Sequence, residues 1–150
     1  MEDKLMQDLK AAMIAKDELR VNVLRSLKSA ITYAKVAPGA PADGVLDQAT
    51  IEGLFAKEAK KRQESAEAFK KAGADDKAAQ EQQERAMIEA YLPPKLSEDD
   101  LRDVVANVVS ELGATSAQQM GQVIAGVKQQ VGTAADGAVI AKLVKERLSA

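Results

Sequence analysis

The sequence predicts an all-α fold, and three observations lead to that prediction. Apolar residues recur at spacings of three and four along most of the 150 residues, which is the period of a helix. Residue types that begin or end helices stand between these segments. Hydrophobic residues make up 46% of the chain and charged residues 29%, a balance that fits one compact domain or two small ones and excludes disordered and collagen-like classes.

Two helices are predicted before the first loop. The first carries apolar residues every four positions, at Leu5, Leu9 and Met13. The apolar face of the second consists of Leu24, Leu27, Ile31 and Ala34. Lys16-Asp17 marks the break between them, and Asp17 can act as the N-cap of the second helix. Two prolines and two glycines within residues 37–44 then predict a loop.

A helical hairpin is predicted after this loop. Asp47 is a plausible N-cap for a helix that runs to about Lys71 and ends at Gly73, the residue type that best adopts the left-handed conformation past a helix end. Asp75 or Asp76 can cap the fourth helix. The short connection predicts that the third and fourth helices lie antiparallel.

The predicted domain boundary follows this hairpin. The fourth helix should end near Leu92, because Pro93-Pro94 cannot continue its hydrogen bonds. We therefore expect an N-terminal helical domain over residues 1–92 and a C-terminal three-helix domain over residues 97–150.

Each of the three C-terminal helices has its own start signal. These signals are Ser97 with Asp100, Ser116 with Gln119, and Asp136. Gly113 and Gly132 end the first two of these helices. Their apolar faces contain Leu101, Val104, Val105, Val108 and Leu112, then Met120, Val123, Ile124 and Val127, then Val139, Leu143, Val144 and Leu148.

The residues that are absent exclude several kinds of chemistry. The chain has no histidine and no cysteine, so it offers no imidazole base, thiolate nucleophile, disulfide or ordinary zinc or iron–sulfur site. It also lacks a phosphate-binding loop motif and a pair of carboxylates whose setting would separate their pKa values. We expect no catalytic residue, no metal and no cofactor.

The start of the chain and its hydropathy predict a cytoplasmic protein. Residues 1–5 lack the continuous apolar core of a signal peptide, and nowhere do 18 apolar residues run together. The absence of cysteine agrees with a reducing compartment. We expect no contact with a membrane.

Charge is distributed unevenly, although the net charge is only −2. Residues 1–72 carry 13 basic and 11 acidic side chains, residues 73–100 carry 3 and 8, and residues 101–150 carry 5 and 4. The candidates for RNA contact are Arg25, Lys28, Lys60 and Lys61 in the first part and Lys128, Lys142 and Lys145 in the last. Glu64 can neutralise Lys60 and Lys61, so an ordinary solvated helix face is the alternative interpretation.

A polar interruption stands on the apolar seam of the third helix. Glu58 and Arg62 occupy positions where a core would place aliphatic residues, and Ser65 lies one turn further on. One interpretation is an ion pair whose stems cover the small facing side chains, namely Ala79, Gln83, Ala86 and Ala90. The other is a polar pocket that includes Ser65.

The order and spacing of many short motifs resemble the YqeY-like family. Up to the predicted domain boundary they are Leu9, Ala12, Met13, Lys16-Asp17, Leu24-Arg25, Lys28, Ile31, Lys60, Arg62, Glu64-Ser65, Phe69, Gly73, Asp76, Glu84, Ile88 and Tyr91-Leu92-Pro93. In the second half they are Met120-Gly121, Val123, Ala135-Asp136-Gly137, Leu143-Val144-Lys145-Glu146 and Leu148. The C-terminal part of this family is related to the tail of the B subunit of tRNA-dependent amidotransferases.

The resemblance implies two helical parts and a tail that engages tRNA. It also implies a link to carbon–nitrogen ligases that use glutamine as amide donor, but the chain shows no motif for a glutaminase nucleophile or an ATP site. The sequence departs from the family at Gly132-Thr133-Ala134, where a lysine and an arginine are common, and at Gln122, where lysine is frequent. We expect a non-catalytic, tRNA-associated accessory module. The alternative is a helical adaptor that binds a protein partner in an amidotransferase or aminoacyl-tRNA synthetase assembly.

Overall fold

The structure, a computed structural model, describes residues 1–149 and confirms the all-α prediction. Within those residues it contains seven α-helices, two single-turn 3-10 helices and no strand. The α-helices are α1 (Glu2–Ile14), α2 (Glu18–Val36), α3 (Gln48–Lys71), α4 (Asp75–Glu89), α5 (Glu98–Leu112), α6 (Met120–Val131) and α7 (Gly137–Ser149). The 3-10 turns precede α6 and α7, at Ala117–Gln119 and Gly132–Ala134.

Four of the predicted N-caps are confirmed by their hydrogen bonds. The side chains of Asp17, Asp47, Ser97 and Asp136 accept backbone N–H groups at the starts of α2, α3, α5 and α7, over 2.7–3.2 Å. Each bond satisfies an amide that has no partner within its own helix. These helix starts are therefore determined by local sequence.

Two of the predicted capping roles are wrong. Asp75 is the first residue of α4, and Ala74 precedes it without a side-chain hydrogen bond. Ser116 caps nothing, because a 3-10 turn intervenes and α6 begins only at Met120. The side chain of Gln119 instead accepts the backbone N–H of Thr115 at 2.8 Å. The end of α4 also comes earlier than Leu92, at Glu89.

The chain divides into two compact units, Met1–Leu92 and Pro93–Ala150. The core of the first unit consists of Leu5, Leu9, Ala12, Val21, Val23, Leu24, Leu27, Ile31, Ile51, Phe55, Ala59 and Ile88. The core of the second consists of Leu101, Val105, Val108, Ala114, Val123, Val127, Ile140, Leu143 and Val144. Independent folding of residues 1–92 and 97–150 stays a prediction.

The predicted inner face of α4 is wrong. Ala79, Gln83, Ala86 and Ala90 are exposed, whereas Ala78 and Ile88 are buried and Glu81 and Glu84 are half-buried. Alanine, glutamine and glutamate dominate this helix, so its hydrophobic contrast is too weak to identify a face. α3 and α4 do form the predicted hairpin, joined by residues 72–74 with Gly73 at φ 75°.

The face predicted for α1 is only partly correct. Leu5 and Leu9 are buried as expected, but the third core residue is Ala12, and Met13 is 51% exposed. The core-facing side of α1 is therefore Leu5, Leu9 and Ala12, with spacings of four and three residues.

Candidate functional site

A polar cluster centred on Arg62 joins three helices of the first unit. The Nη1 group of Arg62 donates to Oε2 of Glu58 at 2.7 Å, one turn earlier on α3. Its Nη2 group donates to Oγ of Ser26 on α2 at 3.1 Å. Its Nε lies 3.4 Å from Oε2 of Glu84 on α4. One guanidinium thus contacts α2, α3 and α4.

The cluster is largely removed from solvent. The side chains of Arg62, Glu58 and Glu84 are 17%, 14% and 15% exposed. Burial by itself would raise the pKa of Glu58, but the hydrogen bond and charge of Lys61 and the charge of Arg62 outweigh it and hold that pKa below its usual value. Glu58 is therefore charged at neutral pH.

Glu81 shows the opposite effect one turn before Glu84. Burial, followed by the negative charge of Glu84, raises the pKa of Glu81 above its usual value, and the charge of Arg62 offsets only part of this rise. Lys61 and Arg62 together thus outweigh the effect of burial at Glu58, whereas Arg62 does not outweigh it at Glu81.

These contacts favour the ion-pair interpretation of the polar seam over a ligand pocket. Arg62 has partners on three sides, and Ser26 also donates its hydroxyl to the carbonyl of Val23 at 2.7 Å. Ser65 is half-buried and is not among the partners of Arg62. Sequence reasoning missed Ser26 and Glu84, because both lie on other helices and no local spacing links them to Arg62.

Tyr91 forms a second polar contact between distant parts of the first unit. Its hydroxyl donates to Asp8 on α1, and its ring packs edge-on against Phe55 with centroids 5.7 Å apart. Burial, with the hydrogen bond to Asp8 and the charge of that residue, raises the pKa of Tyr91 well above its ordinary value. The ring is engaged in packing and is not free to stack against a nucleobase.

Lys28 lies in a groove between the first two helices. This groove, which we name the α1–α2 groove, has a volume of about 410 Å³ and is lined by Met6, Leu9, Lys10, Met13, Ile14 and Lys28. Sequence reasoning missed Lys10. The spacing of Met6, Lys10 and Met13 puts them on one helix face and could have indicated a second apolar stripe on α1.

Arg25 lines an adjoining groove that shares Met13 with the first. This second groove has a volume of about 510 Å³ and is lined by Met13, Lys16, Glu18, Val21, Asn22 and Arg25. The structure therefore brings Arg25 and Lys28 to one side of the unit. Lys60 and Lys61 line neither groove; both are exposed on α3, and Lys61 donates to Glu58 at 2.7 Å.

The three cations predicted in the tail all lie on or against α7. Lys142 and Lys145 are exposed on this helix one turn apart. The side chain of Lys128 on α6 lies against Gly137, where a β-carbon would be 3.6 Å from its Nζ. Lys142 also lies 3.8 Å from a carboxylate oxygen of Glu98. Lys128 and Lys145 take part in no ion pair among residues 1–149.

The described part of the chain contains neither a candidate metal site nor a candidate membrane-spanning helix. Residues 1–149 contain no group of three or more acidic side chains placed to hold a metal ion. Across the same residues, every helix is too short or too polar to cross a membrane.

The sequence is similar to curated fungal proteins that share one name, "Altered inheritance of mitochondria protein 41, mitochondrial". It is 34% identical to the Eremothecium gossypii protein over 74% of this chain and 60% of that protein. It is 36% identical to the Lachancea thermotolerans protein over 72% of this chain and 57% of that one. It is 32% identical to a Saccharomyces cerevisiae protein over 79% of this chain and 64% of that protein. The chain thus spans about 60% of the length of the curated relatives it matches.

This comparison corrects the predicted location. The sequence suggested a cytoplasmic protein, but these relatives are named as mitochondrial proteins, so that prediction is wrong. The absence of cysteine does not distinguish the cytoplasm from another reducing compartment.

A family comparison covers nearly all of both units. The family model described as "Yqey-like protein" matches residues 2–148, from the first turn of α1 to the last turn of α7. The chain belongs to the YqeY-like protein family.

Proposed function

We propose that this protein is a non-catalytic accessory module that binds RNA through phosphate contacts, with tRNA as the RNA class. The observation that carries this proposal is the charge of α7. Lys142, Lys145 and Arg147 are exposed along this helix, and Lys128 lies against its first residue. The one acidic residue of α7, Glu146, lies 3.9 Å from Arg102 on α5. The helix therefore presents a local excess of positive charge on a chain whose net charge is negative.

The contacts of the Arg62 cluster argue against a catalytic role for it. Arg62 already has three protein partners, and its acidic neighbours Glu58 and Glu84 are held by it. A binding surface, in contrast, needs only exposed cations of suitable spacing. A ligase that uses glutamine would need a nucleophile and an ATP site, for which the sequence contains no motif.

Titration of labelled tRNA at several salt concentrations tests the proposal. Each phosphate contact contributes about 0.7 to 0.9 to the slope of log affinity against log salt. The double variant Lys128→Gln/Lys145→Gln should weaken binding at low salt and reduce that slope by about 1.4 to 1.8. Lys70→Gln, an exposed lysine on α3, is the matched control and should leave the slope unchanged.

The cations of the first unit make a graded version of the same test. Lys60 is exposed, whereas the ammonium group of Lys61 is already bonded to Glu58. Lys60→Gln should therefore reduce the salt slope more than Lys61→Gln. The RNA proposal fails if the wild-type chain does not bind tRNA at low salt.

A second candidate function is an adaptor that holds a protein partner in an amidotransferase or aminoacyl-tRNA synthetase assembly. The specific observation in its favour is the α1–α2 groove, where Met6 and Met13 are 40% and 51% exposed. Phosphate groups would leave such side chains uncovered, whereas a protein partner would bury them. Co-purification of a stoichiometric partner that is lost in Met13→Ser would support this function, and its persistence in that variant would count against it.

A further inference from the structure

Helix α1 is apolar on two sides, and only one of them is used by the fold. Leu5, Leu9 and Ala12 face the core of the first unit. Met6, Met13 and Ile14 are 40%, 51% and 74% exposed, and their spacing of seven and eight residues places them on one other face. An exposed apolar stripe along a short helix is typical of an interaction surface.

Cations lie within this stripe and along its border with α2. Lys10 lies on the same face of α1, and Lys28 approaches from α2 in the α1–α2 groove. Lys16 and Arg25 continue the border in the adjoining groove, where Glu18 is the one acidic lining residue. These two grooves together present four cations and one acid around a floor that is largely apolar.

Two acidic residues, Glu2 and Asp3, lie at the other end of α1, and neither lines the two grooves. Glu2 is bonded to Lys35 of α2 at 2.7 Å, so its charge is already compensated. The groove is therefore complementary to a ligand that is apolar on one side and negatively charged at its edges.

We propose that the α1–α2 groove docks an acidic amphipathic helix of a partner protein. A groove between two helices accepts a third helix, whose side chains at spacings of three, four and seven residues rest on its floor. Methionine suits such a floor because its unbranched side chain adapts to different partners. The proposal does not depend on RNA binding by α7, since it concerns another class of ligand, and it assigns Lys28 and Arg25 to a protein partner and not to RNA.

A second copy of the chain is a poorer occupant than another protein. The acidic helix α4 carries none of the exposed large apolar side chains, which elsewhere among residues 1–149 are Tyr33, Val36, Val45, Leu96 and Leu112. Its two buried residues, Ala78 and Ile88, are used within its own unit. The acidic helix α5 exposes Leu112 alone among its large apolar residues, and its Leu101, Val105 and Val108 are used within its own unit, so we expect the partner helix to belong to a different protein.

Two synthetic peptides test the groove directly with the full chain. The first is an acidic peptide of about 15 residues, close to the shortest length at which isolated helices form, with leucines at spacings of three and four and glutamates at the flanks. The second has the same composition with the leucines spread around the helix. Fluorescence anisotropy should show that the first peptide binds at least about tenfold more tightly than the second.

Charge reversal in the groove gives the decisive comparison. Lys10→Glu/Lys28→Glu should weaken binding of the acidic peptide by about tenfold or more and should favour a version in which lysines replace the glutamates. Lys70→Glu/Lys71→Glu, on the last turn of α3, is the matched control and should have little effect. Met13→Ser should weaken binding of both the acidic and the lysine-substituted peptide, because it removes an apolar contact of the groove and leaves its charge unchanged.

Four outcomes would overturn the proposal. Equal binding of both peptides would show that only charge matters, and absence of binding would show that the groove does not accept a helix. Loss of tRNA binding in Lys10→Glu/Lys28→Glu, without peptide binding to the wild type, would assign the groove to RNA. A dimer in sedimentation that Met13→Ser dissociates would assign it to a second copy. Failure of the RNA proposal is a separate result, because Lys128→Gln/Lys145→Gln should leave peptide binding unchanged.

Discussion

The Nε of Arg62 on α3 lies 3.4 Å from a carboxylate oxygen of Glu84 on α4, and both side chains are largely buried. This ion pair links the two helices of the hairpin at a position where α4 offers few large apolar side chains. The same guanidinium donates to Glu58 and to Ser26. Its removal should therefore weaken the packing of three helices.

Arg62→Ala should lower the free energy of unfolding of the first unit by about 2 to 4 kcal/mol, because it leaves the half-buried carboxylate of Glu84 without a counter-charge and leaves Glu58 with Lys61 alone. Both tyrosines lie within residues 1–92, so tyrosine fluorescence during urea unfolding follows this unit alone. Lys61→Ala is the control, and because its side chain is 66% exposed the loss should stay below about 1 kcal/mol. An unchanged urea midpoint in Arg62→Ala would contradict a structural role.

Glu81→Gln should stabilise the first unit at neutral pH. Its pKa is raised in the folded protein by burial and by Glu84, so the folded state holds its proton more tightly than the unfolded state. Its contribution to stability is therefore complete at acidic pH and is lost as the pH rises through the ordinary glutamate range to the raised pKa.

Urea unfolding at several pH values checks this sign. The advantage of Glu81→Gln over the wild type should be present at pH 7 and disappear below about pH 4, where the wild-type side chain is also neutral. Glu64→Gln, an exposed residue on α3, is the control. An advantage that grows on acidification would refute the expectation.

Glu58 should give the opposite pH dependence. Lys61 and Arg62 hold its pKa below the usual value despite burial, so it contributes stability above its ordinary pKa that is lost as the pH falls through the lowered one. In Glu58→Gln, the first unit should lose stability at pH 7, and the difference from the wild type should shrink in strong acid. A difference that does not depend on pH would contradict this prediction.

Gly126→Ala should destabilise the second unit. A β-carbon at this position would lie 2.9 Å from Cγ1 of Val108 on α5, closer than packed side chains allow. Valine has little rotational freedom, so we expect a net loss of about 1 kcal/mol after the gain in helix propensity. Gly121→Ala on the same helix has nothing within 4 Å and should be neutral or slightly stabilising.

Far-UV circular dichroism is the measurement for Gly126→Ala, because the second unit contains no aromatic residue. Its unfolding transition should move while the tyrosine signal of the first unit stays in place. A Gly126→Ala variant as stable as Gly121→Ala would show that α5 and α6 can separate without cost.

Ser97→Ala should cost the second unit about 1 kcal/mol, because the hydroxyl caps α5 through the backbone N–H of Asp100 at 3.1 Å. Ser116→Ala is a matched control, since the side chain of Ser116 makes no capping bond. Thermal unfolding followed by circular dichroism should separate the two variants by several degrees. Equal losses would contradict the distinction that the structure makes between the two serines.

The helix starts could be predicted wherever a capping side chain is close in sequence to the amide it satisfies. Asp47 is three residues from Thr50, and Ser97 is three residues from Asp100. Ser116 has the same sequence signal, but the chain forms a 3-10 turn there, and local pattern does not distinguish the two outcomes.

The candidate site was predictable only in part, for a related reason. Glu58 and Arg62 are four residues apart and could be paired from spacing, whereas Glu84 is added by the folding of α4 onto α3. Likewise, Lys28 could be identified as a surface cation, but its position beside Met6 and Met13 follows from the packing of α1 against α2. Long-range contacts of this kind leave no periodic signal in a single sequence.

The position of Tyr91 determines where the chain can be divided. This side chain closes the first unit against Asp8 and Phe55, yet it lies after the end of α4 and one residue before the unit ends at Leu92. A fragment that stops at Leu92 keeps this closure, whereas one that stops at the last helical residue, Glu89, loses it. The end point of an isolated N-terminal half should therefore be chosen by this aromatic contact and not by the helix boundary.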